Sequence, residues 1–194
     1  MVIWESEKPA MLPVLSAALA FAPLTLAGAM VPDDPLAPSD KGMVQCYQPD
    51  TSGHTCQSIA AYRRNRDGTF ANTATVMPDP TQPLTLETVT TVVVRNGEVC
   101  GTLSRDAVLG GKLWFFGRPV PEDHAVPLLD QISGTYTGIF DREICTTYIP
   151  TPGGFIAKGR MVGNPHPFPA QRMIWIRADA GYRVAPAGSP ANQG

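Results

Sequence analysis

The fold is decided by residues 84–103, LTLETVTTVVVRNGEVCGTL, in which two apolar runs flank the dipeptide Asn96-Gly97. Asn-Gly supplies the two positive-φ positions of a type I′ turn, so these residues predict a β-hairpin. In this hairpin Arg95 faces Glu98, which predicts a favourable cross-strand pair. Side-chain alternation puts one apolar set on the core face: Leu84, Leu86, Val92, Val94, Val99 and Leu103.

Other runs of apolar or alternating residues, bounded by turn residues, predict further short strands. They cover residues 44–48, 56–62, 70–77, 113–116, 144–149, 155–162 and 171–177. The chain also carries 20 prolines and 18 glycines, which argues against long helices. One short helix is predicted over residues 126–133, because Pro127 suits a first helical turn and should break any helix that begins at Pro121.

The four cysteines, Cys46, Cys56, Cys100 and Cys145, contain no C-x-x-C pair, which disfavours a zinc site or a thioredoxin-like redox site. Sequence alone leaves all three pairings open. The turn-rich residues 48–53 favour Cys46–Cys56, and hence Cys100–Cys145. Because alternation places Cys100 on the face opposite the core, its disulfide is expected to need a second layer over that face.

These patterns predict a mainly β (α+β) fold stapled by disulfides. The expected architecture is an antiparallel sheet, or a small sandwich or barrel, of about 7–9 short strands with one short helix. A single domain is expected over residues 43–184, between a flexible leader at 30–42 and a flexible tail at 185–194, both rich in proline and polar residues.

The segment before the leader predicts export. Residues 12–31 carry no charged side chain and include small residues that form an A-x-A cleavage site ending at Ala29. We expect residues 1–29 to be a signal peptide, with Met11 as an alternative start because the residues before it carry two glutamates and a single lysine. A retained membrane anchor is the competing interpretation, since about 20 apolar residues can span a bilayer. Prolines interrupt the segment and no basic cluster follows it, so cleavage is favoured, with no stable membrane anchor afterwards.

Export and an even number of cysteines both indicate an oxidising compartment, so a periplasmic or secreted location is expected. The net charge of −2 and the low charged fraction of 16% disfavour a protein that binds nucleic acid through bulk charge. No pair among the three histidines has the spacing of metal ligands, and the common cofactor and phosphate-binding motifs are absent from the sequence. The sequence therefore predicts neither a metal site nor a cofactor.

One arrangement of residues is compatible with an enzyme. Asp141 and Glu143 alternate around Arg142, and on a strand both carboxylates would point the same way about 7 Å apart, within the range that acid–base pairs use. His124 follows two acidic residues and is the candidate general base. The alternative function is thus a small secreted hydrolase that uses Asp141 and Glu143 with a histidine. A solvated strand start explains the two carboxylates more simply.

Residues 163–169 contain alternating prolines, which fix polyproline geometry and are expected to hold His166 and Phe168 outward. Such a loop suits recognition, and an inhibitor that inserts it into an enzyme's cleft is a further alternative. The aromatic run 114–116 is expected to lie in the core, unless it forms an exposed patch for binding.

The function that best fits these observations is a non-catalytic binding or interaction module outside the cytoplasm. Its partner is expected to be a protein or a small ligand. A small-ligand module requires an apolar cavity of about 300 Å³ or more, whereas a solid interior would argue against it.

Overall fold

The computed structural model describes residues 34–186 and 188–189. The predicted signal peptide (1–29), the first residues of the predicted leader and most of the predicted tail lie outside the described residues. The described residues belong to one compact unit. None of the helices in this part of the chain is both long and apolar enough to cross a bilayer.

Within these residues the backbone forms twelve strands, two α-helices and a short 3-10 helix. The strands are β1 Met43–Tyr47, β2 Thr55–Cys56, β3 Ser58–Arg64, β4 Phe70–Val76, β5 Leu84–Arg95, β6 Glu98–Thr102, β7 Lys112–Phe115, β8 Arg118–Pro119, β9 Glu143–Thr151, β10 Gly154–Met161, β11 Gln171–Arg177 and β12 Arg183–Val184. The helices are the 3-10 helix Ala37–Lys41, α1 Arg105–Leu109 and α2 Glu122–Thr135.

Eight of these strands close into an antiparallel barrel. The chain runs round it in the order β1, β3, β4, β5, β6, β9, β10 and β11, and β11 pairs with β1 to close the circle. The short strands β7 and β8 extend the sheet beside the first residues of β5, while β2 and β12 form a separate parallel pair. The predicted mainly β, antiparallel and disulfide-linked fold is confirmed, and its architecture is a barrel.

The predicted hairpin forms β5 and β6. Asn96 and Gly97 have φ angles of 51° and 75°, so both turn residues adopt the left-handed region that a type I′ turn requires. The register pairs Val94 with Val99, and the predicted core face points into the barrel, with Leu86, Val92 and Val99 all buried.

The predicted cross-strand pairing of Arg95 with Glu98 is confirmed by the register, and the charge of Arg95 contributes to lowering the pKa of Glu98. The closest charged partner of each residue, however, lies on another strand. Arg95 binds Glu143 of β9, with 2.6 Å between Nη2 and Oε1. Glu98 binds Arg160 of β10, whose Nε donates to its Oε1 over 3.1 Å. Closing the barrel brings β9 and β10 beside the hairpin, and these strands supply better-placed partners than the hairpin itself.

Both predicted disulfides are confirmed. Cys46–Cys56 joins β1 to β2, and Cys100–Cys145 joins β6 to β9 at directly opposed positions with Cα atoms 4.0 Å apart. The expectation that Cys100 needs a second layer is wrong, because its disulfide joins adjacent strands of one sheet. The carboxylate of Glu98 lies within 4.8 Å of both sulfur atoms and helps to cover them.

The predicted helix is longer than expected, since α2 begins at Glu122 and contains Pro127. The prediction that Pro127 confines the helix to residues 126–133 is wrong. Pro127 lies in the second turn, where its missing N–H removes only the hydrogen bond to the carbonyl of Asp123. Leu129 and Ile132 are buried in the core and anchor the later turns.

A second α-helix, α1, has no counterpart in the predicted elements. The side chain of Ser104 caps it by accepting a hydrogen bond from the N–H of Ala107 over 3.1 Å. Val108 anchors it as a fully buried residue. One cap and one buried residue are enough to hold so short a helix against the barrel.

Residues 34–42 are structured, which differs from the flexible leader predicted over 30–42. Leu36 is fully buried among residues of the barrel interior, and the 3-10 helix follows it. The carboxylate of Asp34 accepts hydrogen bonds from the N–H of Leu36 at 2.9 Å and from Arg64 at 2.7 Å. At the other end, the N–H of Ala185, the first residue of the predicted tail, donates to Cys56.

Two groups of buried apolar side chains fill much of the interior. The first comprises Leu36, Phe70, Val92, Val99, Tyr148, Ala157 and Met173. The second, to which α1 and α2 contribute, comprises Leu86, Val108, Leu113, Leu129 and Ile132. Members of both groups line a cavity, so the apolar packing of the barrel is not continuous.

Candidate ligand-binding cavity

The cavity has a volume of about 310 Å³ and is partly open to solvent. It is built by the inward-facing residues of β3, β4, β5, β6 and β9, because alternation along each strand turns every second side chain into the barrel. None of the described residues that line it is charged. Its wall is instead divided into apolar and hydroxyl- or amide-bearing parts.

The polar part of the wall crosses three neighbouring strands. Tyr62, Asn72 and Thr90 are consecutive register partners on β3, β4 and β5, and Thr88 lies two residues from Thr90 on the same face. The side-chain amide of Asn72 donates to the Thr90 hydroxyl through Nδ2, over a long 3.4 Å. Its Oδ1 is buried and has no hydrogen-bond partner.

A cluster of three tyrosines lies beside this wall, around Gln45. The amide oxygen of Gln45 accepts from the hydroxyls of Tyr47 at 2.7 Å, Tyr62 at 3.0 Å and Tyr148 at 3.2 Å. The hydroxyls of Tyr47 and Tyr148 also lie 2.8 Å apart. A carbonyl oxygen has two lone pairs, so it cannot bind three hydroxyls equally well.

Gln45 is fully buried, and its Nε2 has no hydrogen-bond partner. An unpaired buried amide donor costs about 1–3 kcal/mol. With Asn72 Oδ1, the barrel interior thus contains one donor and one acceptor whose hydrogen bonds the described residues do not complete. Unpaired buried polar atoms of this kind are rare in natural interiors.

The tyrosines of the cluster are held in their neutral form. Burial is the main reason that the pKa of Tyr47 and of Tyr62 lies well above its usual value, and the neighbouring phenols add to the effect. Burial likewise raises the pKa of Tyr148. The three side chains therefore present hydroxyl groups and not phenolates at any physiological pH.

The structure does not place Asp141 and Glu143 on one strand. Asp141 lies in a turn with φ of 56°, so β9 begins at Glu143, and the predicted alternation of the two carboxylates is wrong. Glu143 binds Arg95. His124 is exposed on α2, with its Nε2 3.7 Å from the Asp123 carboxylate. Within the described residues, no hydrogen bond or ion pair joins a histidine to Asp141 or Glu143.

The loop of residues 163–169 lies against the barrel. The N–H of Phe168 donates to the carbonyl of Gly159 over 2.9 Å, and the Phe168 ring fills the space that a side chain at position 159 would occupy. The expected outward projection of Phe168 is therefore wrong. His166 is exposed, and its N–H donates to the side chain of Asn164.

The aromatic run 114–116 is not a core segment as expected. Phe115 and Phe116 are 49% and 54% exposed and pack edge to face. Phe116 has a φ of 50° and follows the last residue of β7, so it does not continue the alternation of the strand. Phe115 lines a shallow apolar groove with Leu84, Val120 and Leu128.

Among the described residues, one group of side chains has the proximity of metal ligands: Glu98, Cys100 and Cys145. Both cysteines form a disulfide with each other, so their sulfur atoms are not available as thiolate ligands.

The sequence did contain a signal for the cavity. On the predicted core face of β5, the alternation from Leu86 to Val92 is interrupted by Thr88 and Thr90, which point into the same interior. Polar residues in the middle of a core-facing run indicate an interior that is not solid. Asn72 lies opposite Thr90, but this pairing follows only from the register of β4 and β5.

Comparison of the chain with protein-family models, with curated proteins and with solved structures finds no match.

Proposed function

We propose that this protein is a non-catalytic binding module that takes up a small ligand in the interior of its barrel, outside the cytoplasm. The observation that carries the proposal is the 310 Å³ cavity, whose described lining residues are apolar or carry neutral polar groups. An eight-stranded barrel is just wide enough to be filled by its own side chains or to hold one small ligand. The interior of this barrel is not filled by its own side chains, so space for a small ligand remains.

The energetics favour a ligand over an unoccupied interior. Protein interiors pack as densely as organic crystals, and larger apolar side chains at positions such as Ala60 and Ala74 would both fill the cavity and add stability. Apolar residues in place of Asn72 would also remove an unsatisfied acceptor. A ligand that fills the space accounts for the small side chains of this wall, and polar groups of the ligand account for its polar part.

The lining also supports binding over catalysis. Among the described residues that line it there is no carboxylate and no histidine, and the pKa values of its buried tyrosines are raised away from neutral pH. It therefore offers no side chain suited to general acid–base work at physiological pH. The hydrolase alternative has less support, because the candidate residues are not brought together. The inhibitor alternative has less support, because residues 163–169 lie against β10.

The location outside the cytoplasm is supported by two independent features. The predicted signal peptide would direct the chain across a membrane. Two buried disulfides, Cys46–Cys56 and Cys100–Cys145, are typical of proteins that mature in an oxidising compartment. The periplasm and the extracellular medium both fit these features.

The experiment that tests the proposal introduces a larger side chain that occupies the cavity. Ala74 lines it, whereas Ala71, on the same strand, has the opposite side-chain direction. The wild-type protein, Ala74→Phe and the matched control Ala71→Phe are purified from an extracytoplasmic extract of the native cells. Bound small molecules are then released by denaturation and identified by mass spectrometry.

We expect the same compound to be retained by the wild type and by Ala71→Phe and to be lost from Ala74→Phe. All three proteins should show a cooperative thermal transition, which establishes that loss of the compound is not loss of the fold. A folded Ala74→Phe that retains the compound, or a wild type that retains nothing, would contradict the proposal. Should Ala74→Phe not fold, Ala60→Leu provides a smaller filling substitution in the same wall.

A further inference from the structure

A side pocket of about 250 Å³ adjoins the cavity inside the barrel. It is lined by residues of β1, β9, β10 and β11, together with Ile139, Phe168 and Pro169. We propose that the cavity and the side pocket hold one ligand, an elongated, uncharged and largely apolar molecule that extends from one space into the other. The inference rests on the proposed binding function and names the class of its ligand.

The two spaces meet at three residues that line both of them, Tyr47, Ile144 and Thr146. On one side, Thr146 pairs with Val99 of β6, which lines the cavity. On the other side, it pairs with Gly159 of β10, which lines the side pocket. The boundary therefore runs along the inner face of β9. Because Thr146 has a short side chain, a ligand that passes over it reaches both spaces.

The loop of residues 163–169 supplies part of the wall of the side pocket through Phe168 and Pro169. The N–H of Phe168 donates to the carbonyl of Gly159 over 2.9 Å, and a Cβ atom at position 159 would lie only 3.2 Å from the Phe168 ring. The ring is thus held against β10 by contacts of its own loop. A wall that is already in place does not have to be ordered when a ligand binds, which favours affinity. Phe168 therefore has a binding role that is directed into the barrel.

The charge of the lining defines the class of ligand. None of the described residues that line either space is Asp, Glu, Lys, Arg or His, so an ion inside the barrel would lose its hydration without gaining a counter-charge. Burial raises the pKa of Tyr47 and of Tyr148, so their hydroxyls are neutral as well. Apolar side chains line both spaces, among them Leu86 in the cavity and Ile139 in the side pocket. Burial of apolar surface against such side chains supplies most of the affinity of an uncharged ligand.

Three linear probes separate the requirements for length and for charge: 1-hexanol, 1-decanol and decanedioate. Their dissociation constants for the native disulfide-bonded protein are measured at pH 7 by isothermal titration calorimetry. We expect 1-decanol to bind about tenfold or more tightly than 1-hexanol, because its additional methylene groups enter the side pocket and each buried methylene strengthens binding by up to about fourfold. Decanedioate must bury a carboxylate whichever end enters first, so it should bind about tenfold or more weakly than 1-decanol.

The variant Phe168→Ala removes the ring from the side pocket and leaves the residues that line the cavity unchanged. It should weaken the binding of 1-decanol about tenfold and leave that of 1-hexanol unchanged, because only the longer alcohol reaches this ring. His166→Ala, at an exposed position of the same loop that lines neither space, is the matched control and should change neither affinity. Should Phe168→Ala not fold, Ile139→Ala removes another apolar side chain of the side pocket and should show the same difference between the two alcohols.

The outcomes distinguish this ligand class from the binding function. Equal affinities for the two alcohols, or an equal loss of both in Phe168→Ala, would overturn the site that spans the two spaces. Binding of decanedioate as tight as that of 1-decanol would overturn the assignment of an uncharged ligand, and failure of both alcohols to bind would overturn the inference as a whole. In each case the proposed function stands if the native protein carries a compound that Ala74→Phe loses. It fails as well if the native protein carries none.

Discussion

Removal of each disulfide in turn tests how the two cross-links stabilise the barrel. The perturbations are the double substitutions Cys100→Ala with Cys145→Ala, and Cys46→Ala with Cys56→Ala. All four side chains are almost completely buried, so the loss of packing is similar in the two variants. The main difference between them is the length of chain that each disulfide closes.

The sequence separations are 45 residues for Cys100–Cys145 and 10 for Cys46–Cys56. The entropy of loop closure in the unfolded chain gives losses of about 4 kcal/mol and about 2.7 kcal/mol in the free energy of unfolding. The difference of about 1.3 kcal/mol depends only on the ratio of the two loop lengths. Either loss is a large fraction of the stability of an ordinary domain.

Urea unfolding at pH 7, followed by tyrosine and tryptophan fluorescence, measures both losses. The m-value should rise in each variant, and more in the one that lacks Cys100–Cys145, because its unfolded chain is less compact. Equal losses, or a larger loss for the Cys46–Cys56 variant, would refute the reasoning. The stabilisation would then come from local contacts of the cystines in the folded state and not from constraint of the unfolded chain.

Two further predictions concern polar contacts of the barrel. The bonds to Arg160 hold the pKa of Glu98 below its usual value, so this contact stabilises the fold above about pH 4.5 and is lost as the pH falls through the lowered pKa. In acid titrations of the free energy of unfolding, Glu98→Gln should therefore lose less stability than the wild type; an equal loss would show that the contact is not coupled to folding. In the interior, Gln45→Leu leaves the tyrosine hydroxyls without their shared acceptor and should cost about 2 kcal/mol, although it also removes the unpaired amide donor. Tyr148→Phe removes the longest of the three bonds to Gln45 and the 2.8 Å contact with the Tyr47 hydroxyl, but Gln45 keeps two donors. It should therefore cost less than Gln45→Leu in the same urea assay, whereas equal costs would contradict the shared-acceptor description.

Alternation and turn chemistry predicted the strands because both act over a few residues. The segment 171–177 coincides with β11, and the Asn96-Gly97 turn joins β5 to β6 as expected. In both cases the side chains that decide the conformation lie within the segment itself. The disulfide pairing followed in part from the short turn-rich loop between Cys46 and Cys56.

Contacts that depend on the closed barrel could not be predicted in this way. The partners of Arg95 and Glu98 lie on β9 and β10, and no local rule identifies which strands will become neighbours. The length of α2 depends on the burial of Leu129 and Ile132, which outweighs the helix-breaking tendency of Pro127. Local propensity was correct about the cost of the proline but could not weigh it against tertiary packing.

The candidate site, like the contacts between distant strands, could not be predicted from local sequence patterns. The candidates for catalysis were titratable residues, and His124 and Asp141 lie on the surface, apart from the cavity. The polar wall of the cavity includes Asn72 and Thr90, which are neutral and lie on different strands. An amide in a strand is typical of a surface residue, and only the register of the sheet shows that it faces inward. The site therefore cannot be predicted before the pairing of the strands is known.

The beginning of the barrel limits where the chain can be processed. Leu36 is fully buried among interior residues. The carboxylate of Asp34 accepts hydrogen bonds from the N–H of Leu36 and from the guanidinium of Arg64. A cleavage that removed these residues would expose the interior at this end and leave Arg64 without its shortest ion pair. The predicted cleavage after Ala29 keeps both residues in the mature protein. The predicted cleavage is therefore compatible with closure of the barrel, because residues 34–42, which have the composition of a linker, supply a core residue.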